Sequence, residues 1–239
     1  EFNLQEDIGA FLTLPNVSAS VELFNNSIQN YIFQEQELNP DGSPVVTQGY
    51  NTFTYVQTKA RISGGEFNLD IHPVHWLHFE NALSLTYGTN LGNGGPVPDS
   101  LKYLPFIPPL HTHSELRGTF AKGFGSFRNV YAYVGFDHYN AQDKFFAAYG
   151  TETYTSGYNL LSAGFGGNIV NAAGNTVLKL FVEGTNLANV NYQSNMSRLK
   201  YFDNPVVPAG VQPGIFNMGR NVSFKVVIPF DLSPKTKSI

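Results

Sequence analysis

The sequence predicts an all-β protein, an antiparallel β-barrel that crosses a membrane with its strands. Three observations predict this fold: apolar and polar residues alternate along most of the chain, only 13% of the residues are charged, and short turns alternate with long loops. Period-two alternation is typical of strands, and soluble domains carry about 25% charged residues. Short turns at one end and long loops at the other are typical of transmembrane β-barrels.

The composition excludes several other classes of protein. The 239 residues have a formal net charge of −4, 14% aromatic residues and no Cys. A slightly acidic chain without a Lys/Arg cluster is not expected to bind nucleic acid. The aromatic content argues against disorder, and the lack of a run of about 18 apolar residues argues against transmembrane helices. Without Cys there is no thiolate metal site and no Cys nucleophile.

Nine strands are predicted, each a run of alternation bounded by turn residues. They lie near residues 3–13, 17–34, 52–72, 74–89, 109–122, 127–147, 153–169, 175–196 and 218–231. Strands of soluble sheets average about 5–6 residues, and about 9–11 residues cross a bilayer. The predicted strands are therefore long enough to cross a bilayer and to project beyond it. Three long loops connect them at one end, residues 35–51, 90–108 and 197–217.

Charged and polar side chains collect on one face of each predicted strand. The residues that this pattern places inside the barrel include His78, Glu80, His111, His113, Glu115, Arg117, Lys179 and Glu183. A charge that faces lipid near the middle of a bilayer costs about 2–4 kcal/mol, so the other, apolar face is expected to contact lipid. Two features interrupt the pattern: Asn81 falls on the apolar face, and the phase slips near Gly64-Gly65, where a β-bulge is expected.

Histidines are the candidate metal ligands. His111 and His113 are two residues apart and share a strand face, so they form a better pair than His72, His75 and His78, which are three apart. A metal site needs three or four ligands, and no such set is evident. The expected role of the polar residues is charge pairing inside the barrel. No metal, cofactor or catalytic residue is predicted, and no hydrolase or phosphate-binding motif is present.

Aromatic residues cluster at the edge of a further predicted loop of intermediate length, near residues 146–156, and two interpretations stay open for them. They are Phe145, Phe146, Tyr149, Tyr154 and Tyr158. One interpretation is a surface that contacts a ligand, because loops on a rigid scaffold carry recognition. The other is an aromatic girdle at the membrane interface.

The C-terminal third carries residues that resemble a known family. The segment from Leu180 to Tyr192, with Asn186, Leu187, Asn189 and Tyr192, resembles the penultimate strand of TonB-dependent outer-membrane receptors. A Gly219-Arg220 pair and a final amphipathic strand ending at Phe230 resemble the end of that family's barrel. Upstream, the segment around Pro73 resembles the family's strand–Pro–strand turn.

The resemblance implies a 22-stranded barrel with an N-terminal plug domain in the outer membrane of a Gram-negative bacterium. Residues 1–230 are then about the last nine strands, and residues 231–239 are an extension or an appended tail. The implied function is binding and import of a scarce ligand: a ferric siderophore, haem, cobalamin or an oligosaccharide. The implied partners are outer-membrane lipid, the remaining barrel and plug, the TonB complex through that plug, and an extracellular ligand-binding lipoprotein.

Two alternatives of other classes stay open at the level of the sequence. The first is a self-contained outer-membrane barrel, either a passive porin or a barrel enzyme. The second is a soluble β-sandwich adhesin, against which the low charge and the long strands argue.

Overall fold

The structure, a computed structural model, describes residues 1–150, 152–202 and 214–230. Nine long antiparallel strands form one sheet whose order follows the chain, and the predicted all-β antiparallel fold is confirmed. They are β1 (Phe2–Leu14), β2 (Val17–Gln36), β5 (Phe53–Val74), β6 (Leu77–Asn90), β7 (His111–Phe120), β8 (Phe127–Tyr139), β9 (Tyr158–Val170), β10 (Thr176–Thr185) and β11 (Asn221–Val227). A small hairpin of β3 (Val46–Thr47) and β4 (Tyr50–Asn51) lies between β2 and β5.

No helix in the described part of the chain is long and apolar enough to span a membrane.

The loops are distributed as the sequence predicts. Residues 37–52, 91–110, 140–157 and 186–220 connect strands at one end, which we call the loop end. Residues 15–16, 75–76, 121–126 and 171–175 connect them at the other, the turn end. The sheet is open, because β1 and β11 lie at its two edges in the strand order. The described residues thus form part of a barrel wall.

Several strands are shorter than predicted, and three of them are shortened mainly at the loop end. The strand predicted at 127–147 ends at Tyr139, the one at 153–169 begins at Tyr158, and the one at 175–196 ends at Thr185. In each case the chain leaves the ladder to pack against neighbouring loops. The last strand spans Asn221–Val227 rather than 218–231, and the predicted tail at 231–239 lies outside the described residues.

The predicted β-bulge at Gly64-Gly65 is wrong. The pairing of β5 with β2 runs through these glycines without a shift, with Leu23 opposite Gly65 and Phe24 opposite Gly64. Near Gly64-Gly65, the surroundings of β5 change. On the loop-end side, Lys59 and Arg61 are exposed on the face that carries Phe67 and Leu69 further down. The apolar residues move from one face of β5 to the other along the strand because the environment of both faces changes.

The bulge lies in β2 instead. Three residue steps from Ile28 to Tyr31 match only two steps from Ala60 to Thr58, and Asn30 within this bulge has φ 59°. One extra residue reverses the side-chain phase of a strand. Beyond it, Tyr31 and Phe33 therefore point to the same face of the sheet as Ile28.

The apolar core of the structure lies on this face at the loop end. Ile28, Ala60 and Leu104 form one buried cluster, in which Leu104 comes from the 91–110 loop and is 2% exposed. Phe33 packs with Phe146 and Ala148 of the 140–157 loop in a second cluster. Two loops therefore fold over the face of the sheet that carries Ile28. At the loop end, the strands present apolar side chains on this face, and the loops pack against them.

Asn81, the polar residue on the apolar face, has a partner on the neighbouring strand. Ser114 lies opposite it on β7, and the Ser114 hydroxyl donates to Asn81 Oδ1 at 2.8 Å. A hydrogen bond across the ladder lowers the cost of a polar group on a face that contacts lipid.

Gly64 allows close contact between three strands. A Cβ at this position would overlap the carbonyl oxygen of Leu85 on β6 and would lie 2.6 Å from Cζ of Phe24 on β2. We expect Gly64→Ala to destabilise the detergent-folded protein by about 1–3 kcal/mol, the usual range for overpacking. Urea unfolding followed by tyrosine fluorescence measures this loss.

Gly118→Ala is the matched control, since a Cβ there would lie 3.4 Å from the nearest atom, on Phe120. It is expected to unfold at the midpoint of the unsubstituted protein. Equal midpoints for the two variants would contradict the account of Gly64.

Candidate functional site

The strand registers bring the predicted interior charges onto one face, which we call the polar face. Across β6 and β7, His78 lies opposite Arg117 and Glu80 lies opposite Glu115. His113 lies opposite Asp137 on β8. Lys179 and Glu183 lie on β10, and their register partners on β9, Asn168 and Gly164, continue this face.

Arg117 is held by a carboxylate and two aromatic rings. Its Nε donates to Glu115 Oε1 at 2.6 Å, and its Cζ lies 5.3 Å and 5.0 Å from the ring centres of Tyr131 and Tyr133. A guanidinium over aromatic faces gains cation–π attraction. The arrangement neutralises the Arg117 charge within the wall.

Asp137 joins the two histidines that the spacing favoured. Its Oδ1 lies 3.0 Å from His111 Nε2 and 2.9 Å from His113 Nδ1. The His111 ring also stacks on Tyr139 at 4.1 Å between centres. Asp137 is not apparent from the spacing, because it lies on a different strand and only the register brings it to the pair.

A second group near the turn end gathers three potential ligands. Asp70 and His72 on β5 meet His78 on β6, and their ligand atoms all lie within 4.8 Å of one another. Among the described residues, this is the group of acids and histidines whose ligand atoms are close enough together to bind one metal ion. Residue spacing within one strand favours His111 and His113 over these histidines, because it does not reveal a contact across the turn. His75 lies in that turn and is exposed.

Glu152 joins the two inward-folded loops. It is 6% exposed, and its two carboxylate oxygens accept from the backbone N–H groups of Phe106 at 2.8 Å and Phe146 at 3.2 Å. Phe106 has φ 61°, an unfavourable conformation for a bulky residue, and this hydrogen bond holds it. No local sequence pattern identifies Glu152, since an isolated acid in a loop is usually solvated.

Lys200 ties the 186–220 loop to the same assembly. Its Nζ donates to the carbonyl oxygens of Thr153 and Tyr154 at 2.9 and 2.7 Å and to Thr155 Oγ1 at 2.6 Å. Burial lowers the pKa of the Lys200 ammonium, and the nearby Glu152 carboxylate opposes that shift. Glu152 and Lys200 together stabilise the packed loops.

The predicted loop aromatics take different roles in this assembly. Phe146 is 4% exposed and packs edge-on against Phe33 at 6.0 Å, whereas Tyr154 is 54% exposed and Phe145 is half-buried. Tyr149 has φ 60° and donates to Glu35 at 2.9 Å. Burial and this carboxylate raise the pKa of the Tyr149 hydroxyl far above its usual range.

An aromatic groove of about 440 Å³ opens beside these loops. We define it by Tyr31, Phe33, Tyr55, Phe106, Phe146 and Arg198, which are among its lining residues. The exposed Arg198 guanidinium lies 3.9 Å from the centre of the Phe106 ring. The carboxylate of Glu152, also in the lining, is already bonded to two backbone N–H groups, so Arg198 supplies the available charge.

Asn186, the first residue of the C-terminal motif, forms the end of β10. It is 5% exposed and adopts φ 48°, a conformation that Asn tolerates better than most residues. Its amide donates to the carbonyls of Val190 at 2.9 Å and Met218 at 3.3 Å, and its Oδ1 accepts from Val190 N–H at 2.8 Å. One side chain therefore fixes both ends of the 186–220 connection.

The remaining motif residues complete that junction. Arg220 donates from its backbone N–H to Asn189 Oδ1 at 3.0 Å and from Nε to the Leu187 carbonyl at 2.8 Å. A Cβ at Gly219 would lie 2.8 Å from Asn189 Oδ1, which explains the glycine. The Tyr192 ring packs on Tyr158 at 4.4 Å, and Phe230 is 78% exposed. The motif contacts are structural.

Asn186→Ala removes the three hydrogen bonds and leaves buried backbone groups without partners. We expect a loss of about 1–3 kcal/mol in the free energy of unfolding, with faster hydrogen exchange at Val190. Urea unfolding and exchange mass spectrometry measure the two effects. Asn191→Ala, at an exposed position of the same segment, is the matched control, and equal stabilities of the two variants would refute the assigned role.

Solved structures show the same fold in three transporters or receptors. The sheet is similar to copper transporter OprC, with TM-score 0.72, 16% identity and coverage of 95% of this chain. The sheet is also similar to the FrpB iron transporter from Neisseria meningitidis, with TM-score 0.63, 12% identity and coverage of 94% of this chain. A third similar structure is the ferric-catecholate import receptor Fiu from E. coli K12, with TM-score 0.56, 18% identity and coverage of 93% of this chain. The chain spans 31%, 30% and 26% of these three proteins, respectively.

Comparison with curated proteins gives no match. Residues 3–187 match the family described as TonB dependent receptor-like, beta-barrel. This match covers most of the nine strands and agrees with the resemblance seen at the C-terminal motif. The chain belongs to the TonB-dependent receptor β-barrel family.

Proposed function

We propose that this chain forms the barrel wall and outer loops of a receptor that binds a scarce ligand outside the cell and imports it with TonB-derived energy. The observation that carries the proposal is the aromatic groove with Arg198, formed where three long loops fold inward on a wall of the TonB-dependent receptor family. Recognition by loops held on a rigid sheet is a common arrangement in binding proteins.

The proposed location is the outer membrane of a Gram-negative bacterium. The apolar face supports it, since residues such as Phe79, Val134, Phe165 and Phe224 are between 41% and 76% exposed. Such a surface is stable in lipid and costly in water. The polar face then lines the interior, where a plug domain is expected to contact it.

The open edges of the sheet support further barrel strands as partners. Backbone groups at a strand edge have no water to pair with inside a bilayer, so they require neighbouring strands. We propose that strands outside this chain pair with β1 and β11 to close a barrel of about 22 strands. The plug is the proposed contact with the TonB complex, and an extracellular lipoprotein is a further proposed partner.

The ligand that fits the groove best is an anionic metal chelate with aromatic rings, such as a ferric catecholate. Tyr31 and Phe106 offer aromatic surfaces for stacking, and Arg198 offers a cation. One of the similar structures is that of a ferric-catecholate import receptor, which agrees with this class of ligand. Haem, cobalamin and oligosaccharides are the competing ligands in the test. We propose transport without covalent chemistry.

Uptake by the full-length receptor tests the function. In cells that lack other catecholate receptors, we expect saturable uptake of a radioactive ferric catecholate, abolished when TonB is deleted. Uptake that is unsaturable and independent of TonB would indicate a porin, and a chemically altered product would indicate an enzyme. Saturable uptake of haem, cobalamin or an oligosaccharide instead would overturn the proposed ligand class.

Arg198→Ala tests the groove within the same assay. Loss of a charge-assisted contact of about 1.5–3 kcal/mol predicts a Kd for the ferric catecholate about 10- to 100-fold higher. Lys102→Ala is the control, because Lys102 is an exposed cation of the 91–110 loop outside the groove lining. Equal affinities of the two variants would exclude Arg198 from the binding site.

A further inference from the structure

The group of Asp70, His72 and His78 lies on the polar face at the turn end, at the opposite end of the strands from the aromatic groove. Asp70 Oδ2 lies 3.1 Å from His72 Nδ1 and 3.0 Å from His78 Nδ1. The two imidazole rings stack at 5.3 Å between centres with 25° between their planes. We propose that these three side chains bind one divalent transition-metal ion of the Zn²⁺ class.

The backbone of the β1–β2 turn fixes the protonation of His72. Its Nε2 lies 3.1 Å from the carbonyl oxygen of Pro15. A carbonyl only accepts hydrogen bonds, so Nε2 carries the hydrogen, and a neutral ring then has its lone pair on Nδ1. That lone pair is directed at the carboxylate oxygen of Asp70. A metal ion between this nitrogen and the carboxylate oxygen would be coordinated by both atoms.

His78 adds a third donor atom from the neighbouring strand. Its Nδ1 approaches the same carboxylate oxygen as His72 Nδ1, so three donor atoms converge on one region. Two nitrogen donors and one carboxylate form a ligand set typical of zinc sites with an open fourth position.

The contact with Pro15 resembles the outer-shell support of known metal sites. Histidine ligands usually donate their other ring N–H to a carbonyl or carboxylate, which orients the ring for coordination. The surroundings are also suitable for a cation: Glu80 lies opposite Asp70 in the ladder, and the nearby Arg117 is engaged by Glu115. The three side chains are 23–30% exposed, so an ion reaches them from solvent.

A metal ion here would join two strands, beside the turn between β1 and β2, at the turn end. His72 and Asp70 belong to β5, His78 belongs to β6, and Pro15 belongs to the turn between β1 and β2. The site is independent of the proposed transport function, because it shares no residue with the aromatic groove. Binding at this site and uptake through the barrel therefore succeed or fail separately.

The test uses the full-length receptor, purified in detergent without a polyhistidine tag. Equilibrium dialysis against Zn²⁺ alone, with metal quantified by mass spectrometry, is expected to show one more bound equivalent for the unsubstituted receptor than for H72Q/H78Q. His75→Gln is the matched control, because it removes an exposed histidine from the same turn. We expect this control to keep the full stoichiometry.

Two further measurements separate coordination from a general loss of structure. Asp70→Asn keeps the side-chain shape and is expected to weaken Zn²⁺ binding at least tenfold while heat-modifiable electrophoretic mobility stays native. Co²⁺ in place of Zn²⁺ is expected to give visible absorption bands of a four-coordinate ion that the Asp70→Asn variant loses. Equal Zn²⁺ binding by H72Q/H78Q and the unsubstituted receptor would overturn the proposal. So would an unsubstituted receptor that binds no Zn²⁺.

Discussion

The continuous hydrogen-bonded ladder between neighbouring strands is the constraint on which the rest of this structure depends. Inside a bilayer no water pairs with backbone N–H and C=O groups, so the ladder has to satisfy them. An unbroken ladder in turn fixes the side-chain faces, since a shift of one residue would carry charges to the lipid side. The registers across β6, β7 and β8 accordingly align acids, histidines and Arg117 on a single face.

The one-extra-residue bulge in β2 lies where the strand continues toward the loop end. By reversing the phase after Ile28, it directs Tyr31 and Phe33 toward the interior, where two loops pack on them. The buried acid Glu152 and the buried cation Lys200 then join the loops to each other. The resulting loop assembly has its own apolar core and supports the aromatic groove, so recognition and wall structure are physically linked.

Sequence periodicity predicts the strands, the two faces and the loop asymmetry because each depends on local pattern. Periodicity fails to predict structure where a strand changes environment. At Gly64-Gly65 the apolar pattern changes face because the surroundings of β5 change, and the strand has no bulge there. It also fails for contacts made by register or by loop folding, as at Asp137, at Glu152 and in the group around Asp70. The C-terminal motif is recognisable by resemblance, but the hydrogen bond from Asn186 to the Met218 carbonyl spans 32 residues and is invisible in a local pattern.

The assignment of the two faces is the central claim, and a spin-label scan along β6 tests it most directly. Single cysteines, absent from the native chain, are introduced at positions 77–87 of the full-length receptor in lipid bilayers and labelled. Oxygen accessibility should peak at the odd positions, and accessibility to a water-soluble nickel chelate should peak at the even ones. A profile without this alternation, or with oxygen maxima at positions 78, 80 and 84, would contradict the account.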